Sequence, residues 1–225
     1  MYKILSVGGS IIIPKTGFDI KFLKKFRALI LSRVKAGDKF VLVVGGGAVC
    51  RQYQTAAKIV AGLNNEALDW LGIYATHFNA EFVRLLFGKL AHGEVIKNPT
   101  QKIKANKPII VASGWKPGRS TDFDAVLLAK GCGAKTVVNL SNIDYVYDRD
   151  PRVNPGAKKF EKINWNDFRK IVGSKWSPGA NVPFDPLAAK EAQKLGLSVF
   201  FAKGTDLKNL QRVLTNQKFK GTIVK

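Results

Sequence analysis

The 225-residue chain is poor in the side chains that most site chemistry depends on. Its two cysteines, Cys50 and Cys132, stand far apart and without metal-ligand spacing. That excludes a disulfide framework and a zinc module, and leads us to expect a reducing, cytoplasmic setting. Its two histidines, His77 and His92, sit in no triad or ligand pattern, and each reads as part of a helical or loop surface. No run approaches the roughly 20 apolar residues of a membrane span. The opening Met1-Tyr2-Lys3-Ile4-Leu5 lacks the layout of a secretory leader. The G-x-x-x-x-G-K-[ST] phosphate loop is missing. Gly45-Gly46-Gly47-Ala48-Val49-Cys50 begins like a dinucleotide fingerprint but ends in Cys, where close helix–strand packing wants a smaller residue, so hydride chemistry is disfavoured. No internal repeat, low-complexity tract or Ser/Gly/Pro linker divides the chain, which we read as one domain over residues 1–225.

Acidic residues are also scarce: 16 Asp plus Glu face 37 Lys plus Arg, a formal net charge of +21. A hydrophobic content of 46% with 24% charged residues nonetheless describes a folded globular protein, not a basic disordered tail. The excess is not a block: residues 1–40 hold nine basic and two acidic residues, and 203–225 hold six and one. Such a balance makes nucleic acid, an anionic membrane surface or phosphorylated small molecules the chemically suited partners. Trp70, Trp115, Trp165 and Trp176 are the stacking groups a nucleic-acid reading would use.

What the chain has in quantity is alternation of strand and helix. Lys3–Val7, Phe40–Val44, Ile109–Ala112, Thr136–Leu140 and Ser198–Phe201 are short apolar runs of the kind buried in parallel sheets. Helical spacing falls between them, near 19–36, 48–61, 66–88, 122–131 and 185–195. In the first, Phe22, Phe26, Ile30 and Val34 recur every four residues with Lys21, Lys24, Lys25 and Arg33 elsewhere. Asp185 suits a helix N-cap before Pro186, and Gly196 its stop. The pattern predicts an α/β fold with a mainly parallel sheet covered on both faces.

Three strands end in small residues: Val7-Gly8-Gly9-Ser10, Val44-Gly45-Gly46-Gly47 and Ala112-Ser113-Gly114. Glycine at the carboxyl end of a strand lets a phosphate approach backbone N–H groups, with the positive end of the next helix behind them. Arg51, one turn beyond the triple glycine, would add a guanidinium to the same anion site. Ser113 to Asp122 is a turn-rich loop in which Ser120, Thr121 and Asp122 suit an N-cap and also the polar edge of a base, with Lys116 and Arg119 supplying charge. Asp144, Asp148 and Asp150 then crowd a short loop, which reads either as a solvated acidic turn or as a group orienting Mg²⁺ or cations.

In this order and spacing, these segments resemble the amino-acid kinase family, and within it the UMP kinases of archaeal type. The resemblance also draws on Asp69-Trp70-Leu71-Gly72-Ile73, Asn79-Ala80, Asn142-Ile143-Asp144 and Phe184-Asp185-Pro186-Leu187-Ala188-Ala189-Lys190, and covers almost the whole chain. It implies a three-layer α/β/α sandwich, with a UMP-binding lobe over about 1–130 and an ATP-binding lobe over about 131–225. It implies ATP-dependent, Mg²⁺-assisted transfer of a phosphoryl group to UMP, and a homo-oligomer, a hexamer built from dimers. For UMP it points to Gly46, Asp69 and the loop Trp115, Lys116, Pro117, Gly118, Arg119, Ser120 and Thr121, with the Asp69 carboxylate on the ribose. For ATP it points to Ser6, Val7, Gly8, Gly9, Ser10, Gly47, Arg51, Ser141, Tyr147 and Asp150. Asp144 and Arg51 would stand beside the reacting phosphates.

The chain departs from the family at Ser6, where a lysine is common, at Tyr145 in place of glycine, and at Trp115 and Lys116. Arg51, Arg119 and Lys175 are the cations available to replace that lysine. Two other readings stay open: a nucleic-acid-binding or catalytically impaired relative of the same fold, and a kinase of another small phosphate such as isopentenyl phosphate. Against the latter, Val43-Val44 stand where those kinases resemble one another in a histidine.

Overall fold

The computed structural model describes residues 1–104, 106–175 and 182–225. Nine strands and eight α-helices are found among them. A seven-stranded sheet runs in the order β3-β2-β1-β4-β8-β9-β7. Its parallel centre comprises β1 (Tyr2–Val7), β2 (Lys39–Val44), β3 (Ile109–Ala112), β4 (Thr136–Ser141) and β8 (Ser198–Lys203). These are the five strands expected from sequence. At the far edge β9 (Thr222–Val224) turns antiparallel to β8 and pairs in parallel with β7 (Lys162–Ile163). A separate ribbon joins β5 (Val146–Tyr147) to β6 (Lys159–Phe160).

The central strands are apolar on both sides because both sides are covered, and the side-chain alternation divides their residues between two cores. Ile4, Val41, Val43 and Ile110 face α5 (Thr121–Gly131), α6 (Trp165–Val172) and α7 (Pro186–Lys194), where Phe168, Phe184 and Phe201 pack ring to ring. Leu5, Phe40, Leu42, Val44 and Ile109 face Phe22, Phe26 and Ile30 of α2 (Ile20–Lys35), Val83 and Phe87 of α4 (Asn65–Phe87), and Leu210 of α8 (Leu207–Leu214). The result is the three-layer α/β/α sandwich.

Side chains cap most helix starts. Asp19, Asn64, Ser120, Asn164 and Asp185 each accept from a backbone N–H of the first turn, and Pro186 takes the first position of α7 as expected. Gly196, just past the end of α7, has φ +61. Two helices begin on glycine instead: the short α1 (Gly9–Ile12) after Gly8, and α3 (Gly47–Ala61) after Gly46. Trp176 lies outside the described residues, and among those described no helix is long and apolar enough to cross a membrane.

Candidate active site

The strand order reverses direction of growth at β1: β2 and β3 were added on one side, β4 and β8 on the other. Such a switch point opens a crevice at the carboxyl ends of the strands. A cleft of about 340 Å³ lies there. The two glycine turns form one end of it by packing backbone on backbone. A Cβ on Gly9 would stand 2.0 Å from Gly47 N, and one on Gly45 would stand 2.7 Å from Gly9 N. Gly47 also carries φ +71. The turns are anchored to the sheet, Gly8 N donating to Leu140 O at 2.8 Å and Gly45 N to Val7 O at 3.0 Å. Asn79, buried on α4, donates its amide to both Gly45 O and Gly46 O, at 3.0 and 2.9 Å. Arg51 stands one turn into α3 and lines the cleft.

The opposite end is the loop from Ser113 to Ser120, and carboxylates grip its backbone. Asp69 of α4 accepts from Gly118 N at 2.8 Å. Asp124 of α5 accepts from Trp115 N at 3.2 Å. Asp185, while capping α7, accepts from Ser120 N and Oγ, both at 2.8 Å. Gly114 is held from α4 as well, its N donating to Thr76 Oγ1 at 2.8 Å and its O lying 2.9 Å from His77 Nε2. A carbonyl can only accept, so that ring nitrogen carries the proton. His77 is therefore half-buried structure instead of the plain surface residue expected, and its burial lowers its pKa.

Between the ends, Asp122 accepts from Ser6 Oγ and from Asn139 Nδ2, both at 2.8 Å. Ser6 thus meets this carboxylate with a neutral hydroxyl. Enclosure of the Asp122 carboxyl pushes its pKa up to about 7, against the pull of Ser6 and with the push of nearby Asp185. Burial pushes Asp124 up to about 8, opposed by the Trp115 N–H and the charge of Arg119. Among the described residues, Arg51 and Arg119 are the cations lining the cleft, facing Asp69, Asp122 and Asp185. Lys175, the third candidate to replace the lysine, is exposed and does not line it.

Most residues expected in the site come together here. Ser6, Gly8, Gly9, Ser10, Gly46 and Gly47 line the cleft, as do Arg51, Asp69, Arg119, Ser120, Thr121 and Ser141. Val7 is buried in β1 beneath it. Trp115, Lys116, Pro117 and Gly118 belong to the loop but do not line the cleft. The Trp115 ring carries Lys116 Nζ at 4.2 Å and the Arg119 guanidinium at 5.3 Å. The acidic turn stands apart. Asp144 pairs with Lys220 at 3.0 Å, Asp150 with Arg152 at 2.6 Å, and Tyr147 sits in the β5–β6 ribbon opposite Lys159; none lines the cleft.

Sequence reasoning gave no site role to Asn79, Thr76, Asp124 or Asn139. Asn79 and Thr76 reach the turns after β2 and β3 from α4, and Thr76 lines the cleft. Asp124 and Asn139 sit in runs that read as ordinary helix and strand, with polarity at a core position as the available signal.

A glycine-floored cleft at the switch point of an α/β/α sandwich defines a class that binds phosphate esters against backbone amides. The chain belongs to the amino acid kinase family, whose family model matches residues 1–203. Its relatives narrow the class. It is 34% identical to uridylate kinase of Methanospirillum hungatei, over 98% of this chain and 93% of that one. It is 35% identical to uridylate kinase of Pyrococcus abyssi, over 100% and 99%. Its fold is similar to the crystal structure of uridylate kinase from Archaeoglobus fulgidus, with a TM-score of 0.84, 28% identity and full coverage of both chains.

Proposed function

We propose that this chain transfers the γ-phosphoryl group of ATP to UMP, giving ADP and UDP. The full-length similarity to several uridylate kinases carries this reading, and the cleft supports it chemically. An oxygen of the UMP phosphate attacks the γ-phosphorus as the bond to the bridging oxygen of ADP breaks. The nucleophile is already anionic near neutral pH, so the reaction asks the protein for alignment and charge neutralisation rather than for a strong base. The glycine turns and the first turn of α3 would supply backbone N–H donors, and Arg51 a mobile positive charge. Asp69 would take the ribose hydroxyls of UMP while the loop from Trp115 to Thr121 covers the base. Ser141, Tyr147 and Asp150 belong to the adenosine side in this reading, and Asp144 is the acid assigned to the reacting phosphates.

Among the described residues no cluster of three or more His, Cys, Asp or Glu is arranged to hold a metal. The donor set does not fit a protein-caged ion, and Mg²⁺ enters as part of the substrate MgATP. A coupled assay of ADP release with MgATP tests the reading across UMP, CMP, GMP and isopentenyl phosphate. We expect turnover with UMP, and no UMP-dependent turnover overturns it.

Self-association belongs to the same proposal. Residues 47–87 hold three basic and three acidic residues, so this stretch is neutral in a chain of +21. On its helices Ile59, Val60, Tyr74 and Phe78 are 61–85% exposed. Two copies of so basic a chain repel except across such a face, and an apolar surface of this kind asks to be covered. Light scattering should give the mass of an oligomer; the mass of a single chain overturns this part.

A further inference from the structure

Two of the buried polar atoms that find no partner form a complementary couple. Arg119 Nε is a donor and Asp124 Oδ1 an acceptor, and both are buried without a hydrogen bond. Asp124 is 1% exposed and lies behind the cleft wall, whereas Arg119 lines the cleft. The guanidinium is laid over the rings of Phe123 at 4.7 Å and Trp115 at 5.3 Å, which fixes its plane and leaves its edges for hydrogen bonds. The backbone donors of the same loop, at Trp115, Gly118 and Ser120, are already taken by Asp124, Asp69 and Asp185. Arg119 is a charged donor of this loop that lines the cleft and whose Nε still lacks a partner. The chemistry around it selects the acceptor. Asp69 and Asp185 make this end of the cleft hostile to a dianionic phosphate, and the glycine turns with Arg51 serve phosphate at the other end. A neutral ring carrying carbonyl oxygens suits what remains.

We propose that Arg119 donates to the 4-keto oxygen of a pyrimidine base and that Asp124 is the positioning residue holding its guanidinium there. The pair thereby sets a preference for uracil over cytosine. Cytosine presents an amino donor at that position, so both donors would be left unpaired in a dry site. The inference rests on the proposal that the cleft binds UMP.

The test is the ratio of kcat/KM for UMP to that for CMP, which is independent of how much of a preparation is folded. Arg119→Met keeps the stacked stem and removes the donor; it should lower the ratio on the order of tenfold or more while leaving the KM for ATP within about twofold. Asp124→Asn keeps an acceptor for the Trp115 N–H but turns the oxygen left for the guanidinium into an amide donor, and should lower the ratio by a smaller factor in the same direction. The double variant should fall no further than Arg119→Met alone. Equal losses for UMP and CMP would place Arg119 on the phosphate and overturn the inference. Independent, multiplying losses would detach Asp124 from Arg119 and overturn it as well. A wild-type chain that turns over neither nucleotide defeats the kinase reading itself, a result distinct from an unchanged ratio in an active enzyme.

Discussion

The two ends of the cleft hold their backbones by opposite means. At the glycine end, side chains have been removed so that two turns can touch, and one neutral amide, Asn79, holds the Gly45–Gly46 turn from α4. At the loop end, side chains do the holding, and they are carboxylates from three different helices. The first arrangement leaves a concave, side-chain-free surface beside a helix start, which favours negative charge. The second satisfies the loop's own N–H groups and concentrates negative charge around them. One cleft thus presents an end built for polyanions and an end built for neutral, hydroxyl-bearing or carbonyl-bearing groups. A nucleotide, charged at one end and neutral at the other, has the same polarity.

The largest effect should come from adding a methyl group at the glycine end. In Gly9→Ala the new Cβ meets Gly47 N at 2.0 Å and the Gly45 carbonyl group at 2.6 Å, all backbone, so no rotamer change relieves it. We expect a loss of stability above ~4 kcal/mol, among the exceptional single substitutions, seen as a collapse of the urea midpoint together with all turnover. Gly118→Ala, at the loop end, is the control. Gly118 has φ +83 but nothing within 4 Å of its Cβ position, so the cost is only the left-handed conformation, about 1–2 kcal/mol. Similar midpoints for the two variants would break the contrast.

The next effect should separate the nucleotides. Asp69→Ala frees Gly118 N and removes the acceptor proposed for the ribose. The KM for UMP should rise on the order of ten- to a hundredfold, while that for ATP changes less than about threefold. Equal rises would mean that the two ends are one site, with Asp69 acting through the loop's shape alone.

The two ends also differ in how much of them the sequence exposes. The glycine end is written in adjacent residues, strand then Gly then helix, and local chemistry suffices to find it. The central strands and the long helices α2, α3 and α4 are legible because each repeats its pattern long enough to be counted, and α7 because its cap, Pro186 and Gly196 mark its ends. α6 and α8, of eight residues each, do carry an apolar stripe (Trp165, Phe168 and Val172; Leu210, Val213 and Leu214) that went unread, whereas the two- and three-residue strands β7 and β9 at the sheet edge are too short to show a period. The grip on the loop is written across distance: Asp69 lies 49 positions from Gly118, and Asp185 lies 65 from Ser120. Asp185 was readable as an N-cap because that role is local, while its second oxygen, holding the loop, was not. The resemblance brought Asp69 and the loop into one site but carried no hint of Asp124.

The smallest effect tests whether the negative charge at the loop end is real at working pH. Asp122 and Asp124 start from an ordinary value of 3.8 and are raised to about 7 and about 8. A carboxyl raised in the folded state binds its proton more tightly there than in the unfolded chain. Its contribution to stability is fully present below the ordinary value and is lost as pH rises through about 7 to 8. Asp38 acts in the other direction: burial works against it, but hydrogen bonds from Lys3 and Arg33 prevail and hold it low, so its contribution is lost as pH falls. Stability should therefore decline on both sides, and the alkaline side belongs to the cleft. We expect Tm to fall by several degrees between pH 6 and pH 9, and the fall to be shallower in Asp124→Asn, which has no proton to lose. The same variant is expected to lose base selectivity, so a gain in alkaline stability and a loss of discrimination should travel together. A flat Tm from pH 6 to 9 in the wild-type chain would mean that the two carboxyls are already ionised below pH 6, and the loop end would then carry more negative charge at neutral pH than raised pKa values allow.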